Sequence, residues 1–332
     1  RTCPTYTHDS PDGCVTDVTW TQTTPVPKPR DHHVTFTQGD PDAGFLLVAG
    51  GTDGSHIFLD VQRAPVLLDG SLGAFTQVGH LPKAMFGPGL VQLDSQSVAI
   101  AGGCDGQDSL TLTGLGHPFE DGGYGFSVGP PLTNDRYHLT LVTHGGYVYA
   151  LGGLVQHVVG STPTQSISPA IERARLDGGV LEPFETLTPL PVELTHHAAA
   201  VHDDALYLIG GFASDLVMRT QIIRAPFLAD GTLGAFAPAG SLPEPRATSS
   251  AFVFQGQLFV VAGGTTVTGG AKDTVLRAPF LADGGVGVFQ ASSALPLARI
   301  HSHQTPVLGD RAFSAAGSNG AFQGDVFSGQ LH

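Results

Sequence analysis

Apolar residues fall along this chain in short runs, each cut off by glycine. Phe45–Ala49, Ala205–Ile209 and Leu258–Ala262 are three such runs, followed by Gly50-Gly51, Gly210-Gly211 and Gly263-Gly264. Runs this short predict strands and cannot cross a membrane as helices. Gly102-Gly103 and Gly152-Gly153 continue the series, and Ala316-Gly317 is a last, partial copy. The final glycine of each pair recurs at spacings of 52, 50, 58, 53 and 53 residues. A second marker keeps the same register: an aromatic residue followed seven places later by Pro or Thr. The pairs are Trp20/Pro27, Phe75/Pro82, Phe126/Thr133, Phe184/Pro191, Phe236/Pro243 and Phe289/Pro296.

A period near fifty with four strand-like runs in each unit predicts the blades of a β-propeller. The chain ends set the count at six. Trp20/Pro27 precedes the first inner strand, and the last unit stops at Val326-Phe327-Ser328-Gly329 with no pair after it. One blade is therefore split: residues 15–26 should form the outermost strand of the blade begun at 297. That closes the ring and leaves no bare sheet edge. The expected organisation is an arm at 1–14 and one propeller at 15–331. Its blades lie near 28–82, 83–133, 134–191, 192–243, 244–296, and 297–331 joined by 15–27.

The repeat resembles kelch. The elements that carry the likeness are an Arg-containing turn after Leu-Pro, an inner strand, a second apolar strand ending in Gly-Gly, and two outer strands ending in an aromatic. Ala205-Leu206-Tyr207-Leu208-Ile209-Gly210-Gly211 is the second strand of blade four. The resemblance covers residues 15–331 and implies an all-β, six-bladed kelch-type propeller closed by an N-terminal strand.

Composition narrows the function. The 45 Gly and 24 Pro among 332 residues suit turns and short strands. Asp69-Gly70, Asp230-Gly231 and Asp283-Gly284 suit tight turns with positive φ. A net charge of −14, with Lys28, Lys83 and Lys272 the only lysines, argues against nucleic acid as a partner. One Trp and six Tyr give poor support for a sugar-stacking lectin. Cys3 and Cys14 flank a short Pro/Asp/Gly-rich segment, and pairing them implies an exported protein, secreted, periplasmic or at the cell surface. Cys104 is expected free. The chain is read as a monomer without a membrane span.

Aligning the blades on the Pro or Thr of each aromatic pair exposes the chemistry. The third residue after it reads Arg30, Met85, Arg136, Leu194, Arg246, Arg299, a column whose five-donor guanidinium can hold neighbouring carbonyls. The fifth reads His32, Gly87, His138, His196, Thr248, His301. Blades converge on the axis here, so four imidazoles from distant parts of the chain should meet. The sixth column adds His33 and His197, expected to pack between blades and bond a carbonyl, and the seventh adds His303. Imidazole is the commonest side-chain ligand of transition metals. The expectation is a divalent transition metal, zinc or copper, on His32, His138, His196 and His301. Gly87 and Thr248 would leave gaps for a ligand.

A local likeness bears on this address. Met85-Phe86-Gly87-Pro88-Gly89 resembles the Met-Phe-Cys-Pro-Gly stretch of the galactose oxidase family, a kelch propeller with a radical-copper centre. Arg299-Ile300-His301-Ser302-His303 is similar to that family's Arg-Ile-Tyr-His run. The resemblance implies a metal at these strand starts. It also implies no radical-copper oxidation, because the cross-linking Cys would fall on Gly87 and the radical Tyr on His138, with Tyr137 one place off.

Two functions follow as expectations. One is a metal-dependent lyase or hydrolase acting on an extracellular substrate. Tyr137, His303, Arg136 or Arg299 would then move protons or bind anions. The other is a non-catalytic scaffold that binds a protein or glycan through its loops. The longest loop, from Leu154 to Pro169, would be a lid over the channel mouth. His144 and His202 should lie at the opposite face, in solvent.

Overall fold

A computed structural model describes residues 8–10, 13–267 and 269–332 of the chain. Six antiparallel sheets follow one another around an axis, five of four strands and one, blade three, of five. Blade one is Val34–Gln38, Phe45–Ala49, Asp60–Pro65 and Thr76–His80, paired in that order. Blades two to five repeat the plan, with inner strands Gly89–Gln92, Thr140–His144, Ala198–His202 and Ser250–Phe254. Blade six takes Val307–Leu308, Arg311–Ser318 and Phe322–Leu331 from the end of the chain. Its fourth strand is Val18–Thr23, with Val18 opposite Leu331 and Thr23 opposite Val326. The split blade read from the repeat is thus observed, and no helix occurs among the described residues.

Blades cohere because every strand face meets the next sheet. Six apolar clusters lie one at each blade interface. Leu47, Val61, Leu90 and Ile100 join blades one and two, and Val18, Trp20, Phe259 and Val261 join five and six. The turns add polar contacts between blades. The Asp-Gly turn of blade four takes the Tyr149 hydroxyl of blade three on Gly231 O at 2.7 Å and Arg173 Nη1 on Asp230 O at 2.8 Å. The corresponding turn of blade five takes the Tyr207 hydroxyl on Gly284 O.

Both glycines of the repeated pair have steric reasons. A Cβ on Gly102 would stand 2.1 Å from Arg136 O of the next blade, and one on Gly51 would stand 2.5 Å from Asp31 O of its own. Each first member turns with positive φ, and each second member donates its N–H across the interface. Gly51 bonds Met85 O, Gly103 bonds Arg136 O, Gly153 bonds Leu194 O, Gly211 bonds Arg246 O, Gly263 bonds Arg299 O, and Gly317 bonds Arg30 O. Blade five differs from the sequence reading. Its functional pair is Ala262-Gly263, one place earlier than Gly263-Gly264, with Ala262 at φ 56° as Ala316 is at 49° in blade six.

The Arg column is structural. Arg30, Arg136, Arg246 and Arg299 are all at 0% exposure. Arg30 holds Asp60 with two bonds of 2.8 and 3.0 Å and Gly50 O with a third. Arg136 holds Glu172 and Ala170 O, and Arg299 reaches Ser314 O and Asp325 O. Burial lowers the pKa of Arg136 to about 10, against the pull of Glu172.

His33 and His197 pack between blades as expected, but neither ring finds the expected carbonyl. Burial holds both neutral, with pKa values lowered to about 3. His144 and His202 are not simply solvated. Each ring stacks on an aromatic of the next blade, Phe227 at 4.1 Å and Phe280 at 3.9 Å. The Cys3–Cys14 pairing falls outside the described residues, and Cys104 is free and buried.

Two outcomes follow from these buried groups. Arg136 and Glu172 are both fully buried, so Arg136→Met strands a carboxylate and should cost about 3–5 kcal/mol, read from the urea midpoint. His33 and His197 bind protons more readily unfolded than folded. Their stabilisation is complete above the ordinary His pKa of 6.5 and is lost as pH falls toward their folded values near 3. Each contributes a slope of up to about 1.4 kcal/mol per pH unit in that window. Urea titrations between pH 6.5 and 4.5 should show this fall, and the double variant His33→Leu/His197→Leu should make it shallower, the rest coming from the other buried histidines.

A candidate metal centre on the propeller axis

The axis is lined by one residue from each blade, and the backbone dictates how. His32, Gly87, His138, His196, Thr248 and His301 all have φ between 50° and 63°. The N–H of each of the first five bonds the carbonyl of its counterpart in the preceding blade. His32 bonds His301 O, Gly87 bonds His32 O, His138 bonds Gly87 O, His196 bonds His138 O and Thr248 bonds His196 O. Left-handed backbone is cheap for Gly and costs other residues about 1–2 kcal/mol. Five of the six positions carry a side chain there nonetheless.

That geometry brings the imidazoles together. His32 stacks on His301 and His138 on His196, each pair with ring centroids 3.8 Å apart. His32 and His138 are 4.8 Å apart. His303 lies 5.3 Å from His138 and 5.9 Å from His32 and His301. The ligand atoms of His32, His138 and His196 all lie within 4.8 Å of one another. Two nitrogens on one tetrahedral zinc stand about 3.3–3.4 Å apart, so the rings would have to draw together to form a coordination shell. His138 Nδ1 and His303 Nε2 are buried without a hydrogen-bond partner, and His301 Nδ1 has Asp31 Oδ2 at 3.7 Å.

One residue of the cluster was not singled out from sequence. Asp31 Oδ1 sits 2.6 Å from His32 Nδ1, and Asp31, His32 and His301 form a second group with metal-ligand spacing. Burial pushes the Asp31 carboxyl up, but the imidazoles of His301 and His32 outweigh it and hold it well below the usual range. Its carboxylate can fix the His32 tautomer and aim the other nitrogen inward. The signal was available: the fourth column reads Asp31, Phe86, Tyr137, Thr195, Ala247, Ile300, with a single acid. Thr195 Oγ1 stands in the same relation to His196 Nδ1, at 3.1 Å.

Burial keeps His138, His196, His301 and His303 neutral. His138 and His196 are held well below the ordinary His pKa by desolvation first and by neighbouring imidazoles second. His303 behaves likewise, and His301 falls to about 4.

The remaining candidates divide. Tyr137 lies beside the cluster, its ring 4.5 Å from that of His138. Its hydroxyl is occupied by Gln156 Oε1 and Gln165 Nε2, each at 3.2 Å, and burial raises its pKa. Arg136 and Arg299 are consumed by the interior contacts described above, so the structure does not bring them to the axis as anion binders. Gly87 is no entrance either, because a Cβ there would stand 3.1 Å from the His138 ring that fills its space.

Two hairpins extend the mouth that bears the cluster. Leu154–Val159 pairs with Thr162–Ile167, and Gly264–Thr266 with Gly269–Ala271. The first is the segment read as a mobile lid. It is pinned to blade two instead: Gln156 exchanges bonds with Ser109, Val158 N bonds Asp108 Oδ1, and His157 stands between Asp108 and Asp135. A chamber of about 360 Å³ lies beneath, floored by His138 and His196. A second chamber, of about 200 Å³, lies on the axis and is lined by His138, His303, Gln92 and Gln304.

No family model matches the chain. Two curated proteins are similar over 168 residues, half of this chain. Kelch-like protein 38 of Mus musculus is 27% identical there, and Kelch-like protein 38 of Rattus norvegicus 24%. The match spans 26% and 27% of those proteins' own length. The shared segment, the Arg-to-Gly-Gly repeat and the closed ring of six blades together support a kelch-repeat propeller.

Proposed function

We propose that the propeller is a non-catalytic interaction scaffold whose hairpin-bearing mouth receives a protein segment. The observation that carries this is a run of exposed apolar side chains on the rim of three consecutive blades. Val159 stands at the tip of the first hairpin, Leu216 and Val217 on the loop of blade four, and Val267 at the turn of the second hairpin, with exposures of 72, 60, 52 and 36%. Apolar groups grouped on one rim are the pattern of a binding surface. The net charge of −14 favours a neutral or basic segment. The burial of the Arg column in the interior also favours a scaffold over a catalyst.

A second reading concerns the axis, and the convergence of His32, His138 and His196 favours it. One divalent transition ion of zinc type would be held by these three imidazoles, with His301 and His303 alongside. Asp31 and Thr195 would orient His32 and His196. Such an ion would tie blades one, three and four at the one place where they meet. The two readings are compatible, since the ion lies below the rim.

Peptides selected from a displayed random library against the wild-type propeller should lose at least tenfold in affinity on the Leu216→Asp/Val217→Asp variant. They should bind unchanged to Leu68→Asp, which alters another exposed leucine outside the rim group. Peptides indifferent to the rim change would sink the scaffold reading. For the axis, calorimetry with Zn²⁺ should give one ion per chain, and His138→Ala/His196→Ala should abolish it with the fold retained by circular dichroism. Zinc at a hundredfold over its Kd should add about 2.7 kcal/mol to unfolding. Binding needs neutral imidazole, and an ordinary site would empty as pH falls through about 6.5. Burial lowers the protonation of His138 and His196, and puts His301 at about 4, so zinc should still bind at pH 5.5.

A further inference from the structure

We infer that an ion on the axis keeps one coordination position open toward the chamber beneath the hairpins, and that this chamber takes a small uncharged molecule with a nitrogen or oxygen lone pair. The inference rests on the metal reading above and adds the ligand of that site.

The imidazoles are unevenly disposed about the axis. His138 and His196 form the floor of the chamber of about 360 Å³. His303 does not line it, and faces the other chamber with His138. Blades two and five bring Gly87 and Thr248, which offer no imidazole. Held by His32, His138 and His196 with no fourth protein donor, a tetrahedral ion keeps one position free, as in zinc sites that bind an exogenous ligand.

The walls then select what can occupy that position. Among the described residues, no Asp, Glu, Lys or Arg lines the chamber. Leu154, Ile167, Phe212 and Leu216 supply apolar surface. The polar groups present are bonded to one another: Gln165 Nε2 reaches Gln156 Oε1 at 2.8 Å and the Tyr137 hydroxyl at 3.2 Å, and Ser214 bonds Glu193. A cationic ligand would be repelled by the ion, and an anionic one would find its only counter-charge in the ion, with none on the wall. A neutral one would keep a single polar demand, its lone pair, and meet it at the ion. The aromatic flanks favour a planar body. Tyr137 packs against His138 at 4.5 Å and Phe212 stacks on His196 at 4.9 Å. The volume is at the small end of ligand pockets.

The probe is pyridine, and the reporter is the visible absorption of the Co²⁺-loaded protein. Pyridine should shift the Co²⁺ bands saturably. Ile167→Trp, which fills the chamber from a residue that is not a ligand, should weaken that response at least tenfold and leave Co²⁺ affinity unchanged. Leu216→Trp, at the exposed rim, gives the same obstruction should the first variant fail to fold. If Co²⁺ binds but pyridine leaves its spectrum untouched, or if a folded obstructed variant responds like the wild type, the open-position inference is overturned and the metal reading stands. If Co²⁺ does not bind, the metal reading fails and this inference with it.

Discussion

Six hydrogen bonds from glycine N–H groups to carbonyls of the next blade hold this ring in register. The last, from Gly317 to Arg30 O, joins the end of the chain to its beginning. The bond demands two things at once: positive φ at the first residue of the pair and room for a neighbouring carbonyl at the second. Gly meets both at least cost. The acceptor in four of the six bonds belongs to a buried Arg. Its side chain returns to carbonyls such as Gly50 O and Ala170 O, so one residue joins blades through its main chain and strands through its guanidinium. The apolar clusters between sheets supply the bulk of the cohesion, but they would tolerate sliding. The backbone bonds do not.

The inner ring of bonds, from column five to column five, follows from the first. Once neighbouring blades are locked, each inner strand must begin with a left-handed residue whose N–H reaches the preceding blade. That conformation sets the direction of the side chain, and six such side chains converge on a narrow axis. A propeller of this type therefore presents whatever occupies column five to the centre. Here it presents four imidazoles, with a fifth, His303, two residues further along. The strain is shared by Thr248, so left-handed backbone is a property of the ring and not a mark of the imidazole cluster. What sets the site apart is the choice of imidazole at positions where Gly would be less strained.

Burial governs the chemistry that results. Removed from water, His138, His196, His301 and His303 lose their affinity for protons, so they stay neutral and keep their lone pairs. Asp31 is the one negative charge among them, retained because two imidazoles face it. A site with neutral nitrogen donors and a single carboxylate suits a divalent ion better than it suits proton transfer at neutral pH. Tyr137 lies close enough to join it but is held by two glutamines, which makes it a wall of the chamber more than a participant.

The order of residues along the chain determined the architecture, because the blade is a local unit. Each Gly-Gly, each aromatic/Pro pair and each Arg recurs at a fixed distance from the others, and a ring of such units has few ways to close. The four-imidazole column was legible for the same reason. Alignment by repeat is alignment in space when every copy occupies the same place in its blade. What the tertiary structure decided lies between copies. The effective pair of blade five is Ala262-Gly263, because the bond to Arg299 O is made by the residue that sits against that carbonyl. Gly87 leaves no opening, because the ring of His138, from the next blade, lies in it. The segment at 154–167 is a pinned hairpin, because Ser109 and Asp108 of blade two meet it. His144 and His202 stack, because Phe227 and Phe280 of adjoining blades lie over them. In each case the deciding contact comes from a neighbouring blade, where sequence position gives the identity of the partner residue but not its distance.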